Sequence, residues 1–532
     1  MSETPSATES AKPAPSADLA ALARGGRINF FGFVLRLLAR LPFLFIAGRM
    51  YGAEALGRFA YAVLIVEFAS QLATLGLKRG LAQQLAKNDK PHVFVVWDAL
   101  LVAAIGSAAA MTLLAFVPEI MFPNSEATGL EWMLPVTVIA LAWSDISLAA
   151  LAYRNDVGAT VRARAVVEPW TISIAAFGWW FISPRDGLII AYALSMIGAL
   201  VASMIPFLRS YGLPRGWSPH PVALWKMARR NLPVAAADAV EWGSRRIDIA
   251  VLGLFFSPAI VGIYYVAQQV ASLPSKLKTS FDPILGPVIS RNLAAGDKKA
   301  VARQVRQVGF WVIAAQGGVA LALGIPGEAV LGLVGAGFVA GTAALAFLLA
   351  AEVVAATAAV SEAALIYAAR HRNMVISLVM IALEAALAAL LIVGMRRMGW
   401  PEMWQATGPA IALVIALAFA AVVKSRLLAS LLGAGVSGWR WPLIWAALAA
   451  SIVGAGVVRL PEWAELIVGI PAILGAFGAV MWTRGFGPED RELFKMRKAD
   501  IEELSRLGPG TSGDAPRSTV DPDPNAGCGA SR

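Results

Sequence analysis

Residues 40–62 read RLPFLFIAGRMYGAEALGRFAYA, and residues 245–267, 205 positions later, read RRIDIAVLGLFFSPAIVGIYYVA. The alignment pairs one arginine, two glycines and one alanine in the two copies: Arg40 with Arg245, Gly48 with Gly253, Gly57 with Gly262, and Ala62 with Ala267. Each copy contains an apolar helix with a charged residue, a tight turn, and a second helix that opens with glycine and aromatic residues. The pattern predicts an internal repeat. The alternative is chance similarity between apolar helices.

The composition around these stretches is that of a membrane protein. Of 532 residues, 58% are hydrophobic and 15% are charged, and the mean hydropathy is +0.66. A spanning helix needs about 20 mostly apolar residues, and the chain offers about 14 such stretches. They are predicted at 28–48, 59–77, 93–116, 131–152, 166–183, 187–208, 233–256, 259–281, 307–327, 338–368, 373–395, 404–423, 441–458 and 464–483. We therefore predict an all-α polytopic membrane protein.

The repeat divides these helices into two pseudo-symmetric six-helix lobes plus two C-terminal helices. The predicted segments are a disordered cytoplasmic tail (1–24), an N-terminal lobe (25–210), an amphipathic cytoplasmic linker (211–232), a C-terminal lobe (233–430), two additional transmembrane helices (431–486), and a cytoplasmic tail (487–532). The tails are rich in Ser, Pro, Gly and charged residues, a composition that does not form a buried core.

Lys and Arg concentrate in alternate loops, which predicts that both termini are cytoplasmic. This asymmetry accounts for the formal net charge of +10, so no nucleic-acid partner is implied. No predicted outward loop exceeds about 15 residues. A membrane glycosyltransferase or polysaccharide polymerase is expected to carry a larger outer loop, so we expect that the protein is not an enzyme.

Four arginines lie in predicted helices one and seven and are candidate functional residues: Arg36, Arg40, Arg245 and Arg246. A charged side chain at the centre of a spanning helix costs about 2.5–3.5 kcal/mol, so these side chains should avoid lipid. The first two are four residues apart, so they share one helix face and cannot neutralise each other. They are predicted to line a wet cavity with positive charge, unless an acid on another helix pairs with them.

Predicted helix seven carries a second feature, a stripe of Asp238, Glu241, Arg245 and Asp248 at spacings of three, four and three. The acids of this stripe, with Glu67, Asp98 and Asp145 on other helices, are candidates for ion coupling. The alternative for the stripe is charge balance, with Glu241 paired to Arg245 and Asp248 completing the set. The three acids on other helices are each equally good candidates for a hydrogen bond between helices. Arg49 and Arg58, near a predicted membrane edge, are expected to extend towards the headgroups.

Cofactor and metal sites are not expected. The single cysteine, Cys528, lies in the C-terminal tail, and the three histidines fall in predicted loops far apart in sequence. The chain contains no nucleotide-binding glycine-rich loop and no metal motif.

The chain resembles the polysaccharide-export branch of the multidrug/oligosaccharidyl-lipid/polysaccharide exporter superfamily, the Wzx-like flippases, over residues 28–430. The two stretches quoted first carry most of the resemblance, together with the continuation QQVASLPSKLKTSFDPILGPVIS over 268–290. The resemblance is in spacing and residue type. It implies two six-helix lobes around a central cavity that opens alternately to either side. It also implies a polyprenyl-diphosphate-linked oligosaccharide as cargo. The arginines suit such a cargo because a guanidinium group matches the geometry of phosphate.

The same resemblance implies a place in surface polysaccharide biosynthesis, such as O-antigen, capsule or exopolysaccharide, at a bacterial inner membrane. Implied partners are membrane lipid, the lipid-linked glycan, a polysaccharide polymerase and chain-length machinery. A cation-coupled multidrug exporter and a lipid II flippase of the same superfamily remain alternatives. The sequence identifies neither the glycan nor the coupling ion.

Overall fold

The computed structural model describes residues 41–87, 90–125, 129–154, 156–278, 289–290, 292–293, 295–487 and 490. Residues up to Gly485 form one compact unit, and those from Phe486 form a second. In the second unit, the Gly487 backbone N–H donates to the Asp490 carboxylate at 2.9 Å. The predicted N-terminal tail and most of the C-terminal tail lie outside the described residues.

Helices α1 to α7 form the first lobe. Helix α1 covers 41–51 and ends in a π turn at Ala47–Tyr51, where Gly52 takes a φ of 81° and begins the next helix. The others are α2 (Gly52–Ala73), α3 (Leu77–Lys87), α4 (His92–Phe116), α5 (Thr137–Tyr153), α6 (Glu168–Trp180) and α7 (Gly187–Tyr211). A short helix Val157–Val161 and a π turn Arg162–Val167 lead directly into α6.

The second lobe begins at α8 (Pro221–Gly243). It continues with α9 (Ile247–Phe255), α10 (Pro258–Lys278), α11 (Lys298–Gly324), α12 (Thr342–Ala368), α13 (Arg370–Arg397) and α14 (Gly408–Leu432). The last two helices are α15 (Pro442–Val457) and α16 (Ile470–Val480), the latter flanked by π turns at Glu465–Gly469 and Met481–Gly485. Helical backbone satisfies its own hydrogen bonds, as a segment in hydrocarbon must.

The fold is all-α and polytopic, as predicted. Nine helical stretches in the described ranges are long and apolar enough to cross a membrane. The other predicted spans also coincide with helices, which are short, polar or broken: α6, α10, α15 and the pair α8 and α9. The predicted helix 28–48 is described only from Leu41 onwards.

The prediction that residues 233–256 form one helix, helix seven, is wrong. The structure has α8 and α9 with a turn at 244–246 between them. Gly243 and Ser244 lie at the break, and glycine–serine pairs are a known cause of helix kinks. Helix α8 also begins at Pro221, inside the segment predicted as a linker.

We call outer the end of the molecule that the Lys and Arg distribution predicts to face outside. In the outer half, one apolar cluster contains buried side chains of both lobes, including Leu56 and Phe59 of the first and Leu252 and Val261 of the second. A second cluster fills the inner half of the first lobe. Met227 of α8 belongs to this second cluster, so the inner half of α8 packs on the first lobe.

Candidate functional site

The break between α8 and α9 lies one short helix away from the outer end of α9. The nine residues of α9 rise about 14 Å, which is close to half the thickness of a hydrocarbon core. Arg246 is the residue that precedes α9, and its guanidinium lies 3.8 Å from the Glu67 carboxylate of α2. Both side chains are about one-third exposed. Arg245 is exposed. The break therefore brings one predicted arginine against one predicted acid of the other lobe.

Directly after the break, Asp248 is buried in the second lobe. Its carboxylate accepts hydrogen bonds from the Tyr264 hydroxyl at 2.9 Å and from the Gln268 amide at 2.8 and 3.0 Å. Glu384 of α13 lies close enough to interact electrostatically with Asp248. Glu384 is 1% exposed, and its Oε2 makes no hydrogen bond among the described residues. Two carboxyl groups thus share one dry part of the second lobe.

The structure gives the inner acids of the helix-seven stripe a different cation from the predicted one, Arg245. Because the helix breaks, Glu241 and Arg245 do not lie on one continuous face, and the inner acids pair instead with Arg79 of α3. The Arg79 guanidinium lies 2.7 Å from Glu241 and 2.9 Å from the buried carboxylate of Asp238. The approach to Asp238 is an ion pair without hydrogen-bond geometry. These contacts join α3 to α8 towards the inner end.

Asp145 of α5 belongs to a separate cluster inside the first lobe. It pairs with Lys78 at 2.9 Å and with Arg164, which in turn pairs with Glu168 at 2.7 Å. Arg164 was predicted to lie in a cytoplasmic loop, but it lies in the π turn that leads into α6. The predicted span began at residue 166, so Arg164 was placed outside it, and neither Arg164 nor Glu168 was singled out.

Asp98 of α4 has a structural contact with the linker. Its carboxylate accepts a hydrogen bond from the Trp217 indole N–H at 2.9 Å, and the Trp97 and Trp217 rings lie 6.0 Å apart. Asp98 is buried. This contact ties the segment between α7 and α8 to the first lobe.

Arg58 does not extend into a headgroup layer as expected. It pairs with Glu131, in the turn that precedes α5, and its guanidinium lies 5.7 Å from the centre of the Phe122 ring. The Arg58 side chain is 22% exposed and that of Glu131 is 6% exposed. Arg49 also has a protein partner, since its Nε–H donates to the Leu333 carbonyl at 2.9 Å. Neighbouring outer loops supply partners that sequence spacing does not reveal.

We expect Glu131→Gln to lower the unfolding free energy by about 3 kcal/mol, because it removes the carboxylate charge that pairs with Arg58 in a largely dry place. Arg58→Gln should have a similar effect. The double variant should cost clearly less than the sum of the two, since the residues share one interaction. Detergent-solubilised protein unfolded by heat or denaturant gives the measurement. Arg215→Gln, at an exposed arginine, is the control; additive losses at 58 and 131 would contradict the pairing.

The structure thus distributes the candidate residues over several places. Arg246 meets Glu67, Asp238 and Glu241 meet Arg79, Asp248 interacts electrostatically with Glu384, and Asp145 and Asp98 lie within the first lobe. Arg36 and Arg40 lie outside the described residues. Sequence reasoning did not single out Tyr264 or Gln268. The available signal was a hydroxyl and an amide side chain four residues apart on one helix, α10. In the described ranges, no group of three or more His, Cys, Asp and Glu side chains could hold a metal ion.

Comparison with known proteins identifies the family. The family model described as polysaccharide biosynthesis protein matches residues 46–313, slightly more than half of the chain. A search of curated proteins gives no match.

Several solved structures share the fold. An inward-facing multidrug resistance MATE family transporter of the MOP superfamily matches with a TM-score of 0.61 and 15% identity, covering 75% of this chain and 94% of that one. The lipid II flippase MurJ, in an inward closed conformation, matches with a TM-score of 0.60 and 12% identity, covering 90% and 100%. A MOP superfamily transporter from Pyrococcus furiosus gives a TM-score of 0.51 at 15% identity, covering 79% and 96%.

These neighbours are described as transporters or a flippase, in line with the expectation of a protein that is not an enzyme. Sequence identities of 12–15% establish a common fold. With the family match, the helical architecture and the two lobes, this chain is a multi-pass membrane protein that belongs to the polysaccharide biosynthesis protein family and has the fold of the MOP superfamily transporters.

Proposed function

We propose that this protein flips a polyprenyl-diphosphate-linked oligosaccharide from the inner to the outer face of a bacterial inner membrane by alternating access. The cargo would be a repeat unit for a surface polysaccharide such as O-antigen, capsule or exopolysaccharide. The family match supports a role in polysaccharide biosynthesis. The fold shared with a lipid II flippase supports transport of a lipid-linked substrate.

The observation that carries the proposal is the broken helix with Arg246 at its centre. Backbone that is not helical at membrane depth is tolerated only where it is buried in protein or lines a water-filled cavity, and broken helices commonly mark transport sites. The amino end of α9 follows Arg246, so the helix dipole adds to the positive charge there. The contact between Arg246 and Glu67 supports a site between the lobes. An anionic diphosphate would replace Glu67 as the partner of Arg246.

In this proposal Arg36 and Arg40 supply matching positive charge from the first lobe, and Arg245 supplies further charge at the break. Asp248 is the best-placed candidate for coupling, because Glu384 lies close to it. Two carboxyl groups in a dry site favour uptake of one proton or one monovalent cation, which relieves their mutual repulsion. Glu67, Asp145, Asp238 and Glu241 would balance neighbouring cations through the ion pairs described above.

The cellular context is also proposed. Both termini would face the cytoplasm, with the lobes at 25–210 and 233–430 and the added helices at 431–486. A polysaccharide polymerase and chain-length machinery would receive the flipped unit on the outer face. These assignments follow from the Lys and Arg distribution and from the family.

A cation-coupled multidrug exporter is the second candidate, because the shared fold includes a multidrug resistance transporter and the buried acids suit coupling. The two functions differ in the effect of deletion. Loss of a drug exporter raises drug sensitivity and leaves the cell surface unchanged. Loss of the proposed flippase removes surface polysaccharide.

The direct test is the location of the cargo. In a deletion strain, we expect the lipid-linked repeat unit to accumulate on the inner leaflet, where it is labelled by an impermeant sugar-reactive reagent in inside-out vesicles and is protected in intact spheroplasts. The full-length gene should restore labelling from the outside. Normal delivery of the repeat unit to the outer leaflet without this protein would overturn the proposal.

A further inference from the structure

The outer ends of α2 and α10 touch through two glycines. A Cβ atom added to Gly57 would lie 1.7 Å from the Pro258 carbonyl oxygen and 2.6 Å from the Gly262 nitrogen. A Cβ atom added to Gly262 would lie 2.0 Å from the Ala53 carbonyl oxygen and 2.9 Å from the Gly57 nitrogen. The obstructing atoms are backbone atoms, so no side-chain rotation can make room. The two helices can be this close only because both residues are glycine.

The other two repeat-related glycines also lie at contacts between the lobes. At Gly253, an added Cβ atom would lie 2.1 Å from the Tyr61 ring, and at Gly48 it would lie 2.2 Å from Val334. All four glycines that the repeat aligns therefore meet the opposite lobe in the outer half. The repeat found in the sequence thus has a structural meaning, since its glycines contact the opposite lobe and one equivalent pair, Gly57 and Gly262, is in direct contact.

Hydrogen bonds reinforce this contact from both sides. The Asn124 amide of the first lobe donates to the carbonyl oxygens of Gly253 at 2.7 Å and Phe256 at 3.0 Å. The Arg49 guanidinium donates to Leu333 at 2.9 Å. We call this set of contacts around Gly57 and Gly262 the outer seam. It closes the outer end of the space between the lobes.

The contact towards the inner end combines ion pairs with close packing. There α3 meets α8 through Arg79, which pairs with Asp238 and Glu241, and a Cβ atom added to Gly76 would lie 2.6 Å from the Ala235 nitrogen of α8. The Arg79 and Glu241 side chains are 56% and 49% exposed, whereas that of Asp238 is 1% exposed. Water and salt can replace Arg79 as the partner of Glu241 at little cost, because exposed ion pairs contribute about 0–1 kcal/mol.

We propose that Gly57 and Gly262 form a latch that holds the outer end closed, and that a side chain at either position shifts the transporter to states open at that end. Alanine at position 57 cannot fit while α2 and α10 stay in contact. Separation of the helices removes the clash. A change that disfavours one conformation raises the population of the others in proportion to the difference in free energy.

The first experiment measures access to the seam. The single native cysteine is replaced (Cys528→Ser), and Val261→Cys introduces a reporter at a position that is 2% exposed and next to the latch. In full-length protein in nanodiscs, Gly57→Ala and Gly262→Ala should each raise the rate of reporter modification by an impermeant maleimide by about 10-fold or more. The double variant should give little further increase, since both changes disrupt one contact.

Gly178→Ala is the matched control, because an added Cβ atom at this helical glycine of the first lobe meets nothing within 4 Å. It should leave the reporter protected. Unchanged protection in folded Gly57→Ala and Gly262→Ala protein would overturn the latch. Size-exclusion profiles and thermal midpoints identify variants that have not folded.

A second experiment leaves both glycines in place. Glu54→Cys and Ser257→Cys introduce thiols at exposed positions on the two sides of the seam, for joining by a short reversible cross-linker. Joining them should stop transport, and reduction should restore it. Undiminished transport by the cross-linked protein would contradict the latch. The transport readout rests on the proposed function, whereas maleimide labelling does not, so failure of one proposal is distinguishable from failure of the other.

Discussion

Arg246→Ala is expected to lower the rate of lipid-linked oligosaccharide transport by about 10- to 100-fold, which is the effect of losing hydrogen bonds to a charged group worth about 1.5–3 kcal/mol. Arg246 lies at the helix break and pairs with Glu67 across the lobes. Surface polysaccharide in a complemented deletion strain gives the first measurement. Transport in proteoliposomes gives the second.

Two further variants separate cargo binding from a structural role of Arg246. Arg246→Lys keeps the charge but loses the planar set of donors, so it should be intermediate. Glu67→Gln removes the protein partner of Arg246 and should keep most activity, because the arginine is still present for the cargo. If Glu67→Gln protein were as inactive as Arg246→Ala protein, the ion pair itself would be required for transport. Arg229→Ala, at an exposed arginine of α8, is the control for loss of positive charge.

Asp248→Asn is expected to remove the dependence of transport on an ion gradient. Burial and a second carboxylate nearby both favour uptake of a proton or a cation by a carboxylate. An amide at position 248 eliminates the need for that ion. The rate with an imposed proton or sodium gradient should therefore fall to the rate without a gradient. Glu384→Gln should behave in the same way. Proteoliposomes with defined internal and external solutions provide the measurement.

Tyr264→Phe is the matched control for this site. It removes one hydrogen bond to Asp248 but leaves both carboxyl groups, so the gradient dependence should persist. If Asp248→Asn and Glu384→Gln proteins both responded to the gradient like the unchanged protein, coupling would have to occur elsewhere. The cluster of Asp145 with Lys78 and Arg164 would then be the next place to examine.

The inner contact and the outer seam differ in what each opening motion separates. Opening at the inner end separates Arg79 from Glu241 and from the buried carboxylate of Asp238, whereas opening at the outer end separates buried backbone and apolar side chains. We expect loss of the outer contact to favour states open at the outer end. Cargo binding between the lobes would have to supply the free energy that opens the outer seam.

The sequence by itself determined the helices, the all-α membrane fold and the two related lobes. Hydrocarbon leaves a spanning backbone few alternatives to a helix, so apolar length is enough to identify most spans. The repeat was visible because its glycines tolerate almost no substitution where two backbones touch. Even the break in helix seven had a local signal in Gly243 and Ser244. That signal was missed because residues 233–256 were taken as one span.

Only the tertiary structure decided which charges meet. Glu241 pairs with Arg79, 162 positions away, rather than with Arg245, and Arg58 finds Glu131 rather than lipid headgroups. Likewise, Gly57 and Gly262 were aligned by the sequence, but their direct contact depends on how the lobes pack. Spacing along a helix fixes the direction of a side chain, whereas its partner depends on which helix lies opposite. That choice is made by packing over the whole molecule.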